Sequence, residues 1–127
     1  MKNYLLIIFL CCAFNGVKAI ESKIIYNIEN EIITNVDIKR EFKYLIALNN
    51  SIKELNKEKI LNISNESIIR ERVKKIEILK NFKEIKINED YYKTLLENIY
   101  SRLNLKTVSE FEIYLKDYDL KISDIKT

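Results

Sequence analysis

The 127-residue chain contains no histidine and no proline, one glycine and two cysteines. Without histidine, the Ser-His and Cys-His nucleophile arrangements and the usual zinc ligand sets are excluded. The single glycine, Gly16, leaves no glycine-rich loop to cradle a phosphate. Both cysteines, Cys11 and Cys12, fall in one apolar run near the N-terminus, so the rest of the chain has no disulfide to rely on, even in an oxidising compartment. An excess of either charge is also lacking. There are 22 basic and 19 acidic residues, and setting aside Lys2 and Lys18 in the N-terminal segment lowers the net charge from +3 to +1. Nucleic-acid binding calls for a strong basic patch, and a membrane-surface helix for an uncompensated basic face; neither is present.

What is present begins with order at the N-terminus. Lys2 precedes an apolar run, "LLIIFLCCAF", from Leu5 to Phe14; Gly16 follows, then small residues at Val17 and Ala19. This is the arrangement of a secretory signal peptide, residues 1–19, with cleavage expected after Ala19. The run is shorter than the roughly 20 apolar residues of a spanning helix. Leu10 before Cys11 does not match a lipobox, so the cysteines read as apolar filler. Asn-x-Ser triplets at Asn49, Asn62 and Asn65 follow from an Asn-rich composition and carry no glycosylation reading.

Residues 20–127 read as one small, mostly α domain with a short N-terminal β-hairpin followed by four to five helices. Lys23 to Ile28 and Glu31 to Ile33 form two short strands, joined at Glu29-Asn30, where Asn suits a tight turn. Thr34 or Asn35 caps a helix that runs to about Asn49, with Asp37 completing a capping box. The stretch from Asn50 to Ile63 reads as a loop with a short helix inside it. Ser64 or Ser67 is the expected cap of a second helix, whose core face is Ile69, Val73, Ile76, Leu79 and Phe82, with a Glu71–Lys75 ion pair on its surface. Asn88 caps a third helix, which buries Tyr91 or Tyr92, Leu95, Leu96, Ile99 and Leu103. Thr107 and Glu110 form another capping box, ahead of Phe111, Tyr114, Leu115 and Tyr118. A further cap at Ser123 has no helix behind it, which suggests an incomplete C-terminus.

No catalytic constellation, metal site or cofactor is expected. The carboxylate pairs Glu89/Asp90 and Asp117/Asp119 sit at helix ends, where such residues cap. The aromatic set is the candidate site: Tyr44, Tyr91, Tyr92, Tyr100, Phe111, Tyr114 and Tyr118 offer apolar area with polar tips, suited to peptide binding as well as to core packing.

The ordered set of a leader, a hairpin with "ENEIIT", "NVDI" opening a helix, a long helix, the "KINED" cap and "LKTVSEFEIYLKDYDL" resembles the N-terminal domain of the SurA family, periplasmic chaperones and parvulin-type peptidyl-prolyl isomerases. Members open with a hairpin of the form V-N-x-E-x-I-T and an Asp at the helix start; Ile28, Asn30, Glu31, Ile33, Thr34 and Asp37 stand in those places. The chain departs from the family in having Asp119 where Gly is usual, and in lacking the parvulin domains and the C-terminal helix of the core module. The resemblance implies the chaperone half of the family's activity. It points to a periplasmic domain that binds unfolded outer-membrane protein segments or aromatic-rich peptides, with no cofactor, no nucleic acid and no membrane insertion once the leader is removed. A homodimer is one way to cover an incomplete core. Two other readings stand beside this one: the N-terminal part of a full-length peptidyl-prolyl isomerase, and a non-catalytic helical interaction module.

Overall fold

The computed structural model describes residues 21–125; the signal-peptide assignment lies outside them. Two antiparallel strands, β1 (Ile24–Ile28) and β2 (Glu31–Thr34), precede four α-helices: α1 (Asn35–Leu48), α2 (Lys57–Asn81), α3 (Glu89–Arg102) and α4 (Val108–Lys116). Short 3-10 turns at Asn50–Glu54 and Ile122–Ile125 follow α1 and α4.

The hairpin closes as expected, with Ile28 opposite Glu31. The positive φ of its turn falls on Glu29 (52°), not on Asn30. The pairing slips between Ile24 and Tyr26, so Ile25 is an extra residue in β1. Such a bulge bends the strand and re-aims its side chain.

Thr34 then caps α1. Its hydroxyl accepts from the Asp37 backbone N–H at 3.2 Å, and the Asp37 carboxylate accepts from the Thr34 backbone N–H at 2.8 Å. This reciprocal box satisfies two otherwise orphaned helix-end donors. Burial pushes the Asp37 carboxyl up, but the Thr34 hydrogen bonds and the Arg72 and Arg40 charges outweigh it and bring the group below its ordinary value.

The second helix departs from expectation in both its start and its buried face. Asn56, not Ser64 or Ser67, is the cap; its side chain accepts from the Lys59 N–H at 2.9 Å. The segment from Asn50 to Ile63, expected to be a loop with a short helix inside it, has a 3-10 turn at Asn50–Glu54 and is α-helical from Lys57. Ser64 lies fully buried inside the helix, where its hydroxyl donates to the Ile60 carbonyl at 2.7 Å. The buried ladder is Ile60, Ser64 and Ile68, spaced by four. One turn on, it becomes polar: Arg72 and Lys75 reach Glu31 of the hairpin at 3.7 and 3.0 Å. Lys75 thus pairs with Glu31 rather than with Glu71. Of the predicted core stripe, Ile69 packs against the hairpin cluster, while Val73, Leu79 and Phe82 are exposed.

α3 and α4 end alike. Leu105 N–H donates to the Tyr100 carbonyl and Asn104 N–H to Ser101, both at 3.0 Å; after α4, Leu120 donates to Leu115 and Asp119 to Lys116 at the same distance. These are the paired bonds of the Schellman motif, whose left-handed residue is usually Gly. Here the positions are filled by Asn104 (φ 59°) and Asp119 (φ 55°), two residue types whose short polar side chains tolerate that region. Each motif turns the chain so that the next leucine re-enters the core: Leu105 half-buried, Leu120 2% exposed.

Two apolar clusters result. Ile33, Ile38 and Ile68 join the hairpin to α1 and α2; Ala47, Leu96, Phe111, Leu115 and Leu120 join the end of α1 to α3 and α4. Helix α1 belongs to both.

Candidate functional site

The structure places most of the aromatic set inside the second cluster. Phe111 is fully enclosed, so its ring is core and faces no ligand. Tyr100 leans on it with ring centroids 6.2 Å apart. Tyr92, rather than Tyr91, faces inward, donating its hydroxyl to the Ile122 carbonyl at 3.2 Å. Tyr114 donates to the Ala47 carbonyl at 2.7 Å, and its oxygen lies 3.4 Å from that of Tyr118. Lys53 donates to the Tyr118 hydroxyl at 2.9 Å and sits 5.4 Å from the ring centre. That hydrogen bond holds the Tyr118 phenol below its ordinary value, whereas burial pushes Tyr114 up. Tyr91 is 67% exposed and stands apart. The seven residues therefore do not form one binding face; five of the tyrosines are packed around the cluster that contains Phe111.

Tyr44 borders a polar pocket of about 400 Å³ between α1 and α2. Burial pushes its hydroxyl up, with Glu41 and Glu71 adding to the effect. Burial also raises the Glu41 carboxyl, opposed by a hydrogen bond from Ser67 and reinforced by Glu71. Ser67, the other expected cap, thus faces across to α1. Arg40, Arg70, Arg72 and Lys74 line the same pocket and balance its acids. Among the described residues, no cluster of three or more His, Cys, Asp or Glu is placed to hold a metal, and no helix is long and apolar enough to cross a membrane.

A second hollow has the character of a binding groove. It is about 540 Å³, with walls from β1, α1 and the start of α2. Ile25, Tyr26, Ile38, Phe42 and Leu61 supply its apolar surface, and Lys39, Lys43 and Lys57 its charge. Ile25 and Leu61 are each 41% exposed and Tyr26 37%, so apolar surface here is open to solvent. The sequence reading missed this site for local reasons. The bulge turns Ile25 out of simple alternation, and Leu61 lay in a stretch taken as loop. Phe42 lies at helical spacing from Ile38 and is only half-buried.

A groove of this kind can hold an extended apolar side chain and its backbone. No family model, curated protein or solved structure matches the chain.

Proposed function

We propose that this domain holds unfolded polypeptide segments as a SurA-like periplasmic chaperone, with unfolded outer-membrane proteins as its clients. The observation that carries the reading is the open apolar groove of Ile25, Tyr26, Phe42 and Leu61, bordered by the unpaired edge of a two-stranded sheet. A concave site lined by apolar side chains and a few polar groups is the usual form of a ligand site, and a strand edge with no partner among the described residues offers backbone hydrogen bonds independent of client sequence. The leader-like N-terminus and the order of hairpin and helices support placement outside the inner membrane. The tyrosines serve chiefly to build the fold that presents the groove.

The test is light scattering of an outer-membrane β-barrel protein diluted from urea into buffer with the purified protein. Scattering falls as protein is added, and a variant carrying Ile25→Glu and Leu61→Glu loses the effect while keeping its helical circular dichroism. Unchanged scattering with the wild-type protein rejects the reading.

A further inference from the structure

The groove carries a charge pattern that its apolar surface does not require. Its lining contains three lysines, Lys39, Lys43 and Lys57, two asparagines and no carboxylate. Lys43 is held by Asp119 at 2.6 Å. Lys39 and Lys57 are exposed and make no close ion pair among the described residues; Lys39 also acts at longer range on the Asp119 carboxylate. Lys57 is also the first residue of α2, where a positive charge opposes the helix dipole. Its charge therefore brings no local stability to the helix that carries it. Elsewhere the chain mixes its signs closely: the pocket on the other side of α1 lines Arg40, Arg70, Arg72 and Lys74 with Asp37, Glu41, Glu71 and Asp124.

We infer that the groove selects apolar polypeptide segments flanked by carboxylates, the apolar side chain seated among Ile25, Phe42 and Leu61 and the flanking Asp or Glu meeting Lys39 and Lys57. The inference rests on the proposed function and adds to it a substrate preference. Two features favour a peptide over an acyl chain of the same charge pattern. Asn65 lines the groove, and its Oδ1 is enclosed with no hydrogen-bond partner. A peptide supplies the N–H donor that this acceptor lacks, and a hydrocarbon chain has none. The second is β1, which among the described residues pairs with β2 alone and offers one strand edge to an extended backbone.

The experiment is fluorescence anisotropy of the purified protein with two labelled peptides that share an apolar centre, one flanked by glutamates and the other by lysines. The expected result is binding of the Glu-flanked peptide about 5- to 10-fold more tightly at low salt, as two exposed ion pairs allow, with the difference collapsing near 0.5 M salt, where the Debye length shrinks to about 4 Å. A variant with Lys39→Glu and Lys57→Glu reverses the preference; both side chains are exposed, and glutamate at the first residue of α2 suits the helix dipole. Equal binding of the two peptides, insensitive to salt, overturns the charge selection while leaving apolar holding intact. Binding of neither peptide overturns both the selection and the function on which it rests. Binding to anionic phospholipid vesicles with no binding to either peptide overturns the peptide as occupant.

Discussion

The hydroxyl of Tyr114 in α4 donates to the backbone carbonyl of Ala47 in the last turn of α1, at 2.7 Å. The last carbonyls of a helix have no partner within it. Ala47 is fully buried, so water does not reach its residue, and the phenol of a helix 67 positions later supplies the donor. The contact joins the hairpin-bearing half of the molecule to the α3–α4 half. It also explains why tyrosine rather than phenylalanine stands at 114: the ring packs with Tyr118, centroids 5.2 Å apart, and the tip closes a helix end.

Tyr114→Phe keeps the ring and removes the donor. An unsatisfied buried carbonyl costs about 1–3 kcal/mol. The urea midpoint of unfolding is expected to fall accordingly, with the m-value unchanged. A midpoint equal to wild type would mean that the Ala47 carbonyl finds another partner.

The two Schellman turns make a second prediction. Asn104 is exposed and left-handed, so its backbone carries a cost that Gly does not. Asn104→Gly is expected to stabilise the protein by up to about 1 kcal/mol, the gain being reduced by the greater freedom of Gly in the unfolded chain. Asn104→Val, β-branched in the same region, is expected to destabilise by about 1–2 kcal/mol. Thermal midpoints in the order Gly, Asn, Val check both. Asp119 is a less clean probe, because its carboxylate also holds Lys43.

Three of the four α-helix caps were legible in the sequence because each is a local event; the Asn56 cap of α2 was not. Thr34 with Asp37, Asn88 ahead of Glu89 and Thr107 with Glu110 need only residues within one turn, and all three act as caps. One detail of the last differs: the Glu110 carboxylate reaches back to the Lys106 N–H rather than to Thr107. The buried face of α2 was not legible. The apolar stripe from Ile69 to Phe82 is the stronger periodic signal, yet β2 and α1 cover the weaker ladder through Ile60, Ser64 and Ile68. What a helix buries depends on where its neighbours end. The short hairpin and 14-residue α1 cover only part of the 25-residue α2. The tyrosines were ambiguous for a related reason, since the same amphipathic side chain serves a core and a binding face.

Glu41 sets a pH dependence. Burial pushes its carboxyl above the ordinary 4.5, so between 4.5 and the folded value the native state holds more proton than the unfolded chain. Stability from this group is therefore fully present below 4.5 and declines as pH rises through the folded value, then stays level. Asp37 runs the opposite way, stabilising above its ordinary 3.8 and losing that contribution as pH falls through its lowered folded value. Glu41→Gln is expected to raise the thermal midpoint at pH values above the folded value, where the wild type carries a charge beside Glu71, and to leave it nearly unchanged below 4.5. Equal midpoints for variant and wild type in both pH ranges would place Glu41 in a more solvated setting than the pocket between α1 and α2.

Ser64 separates two readings of the same helix. As a cap at the start of α2 it would accept a backbone N–H, and Ser64→Ala would cost about 1 kcal/mol, while a larger side chain at that exposed end would be tolerated. In the structure it is the small residue of a buried ladder, its hydroxyl already turned to the Ile60 carbonyl one turn back. A serine bonded in this way contributes little to its helix, and alanine has the higher helix propensity. Ser64→Ala is therefore expected to be close to neutral. Ser64→Leu forces extra volume between α1 and α2 and is expected to destabilise by about 1–3 kcal/mol. Asn56→Ala should show the capping loss of about 1 kcal/mol instead. Denaturation of the three variants decides where α2 begins, and with it whether Leu61, on the wall of the groove, belongs to the helix.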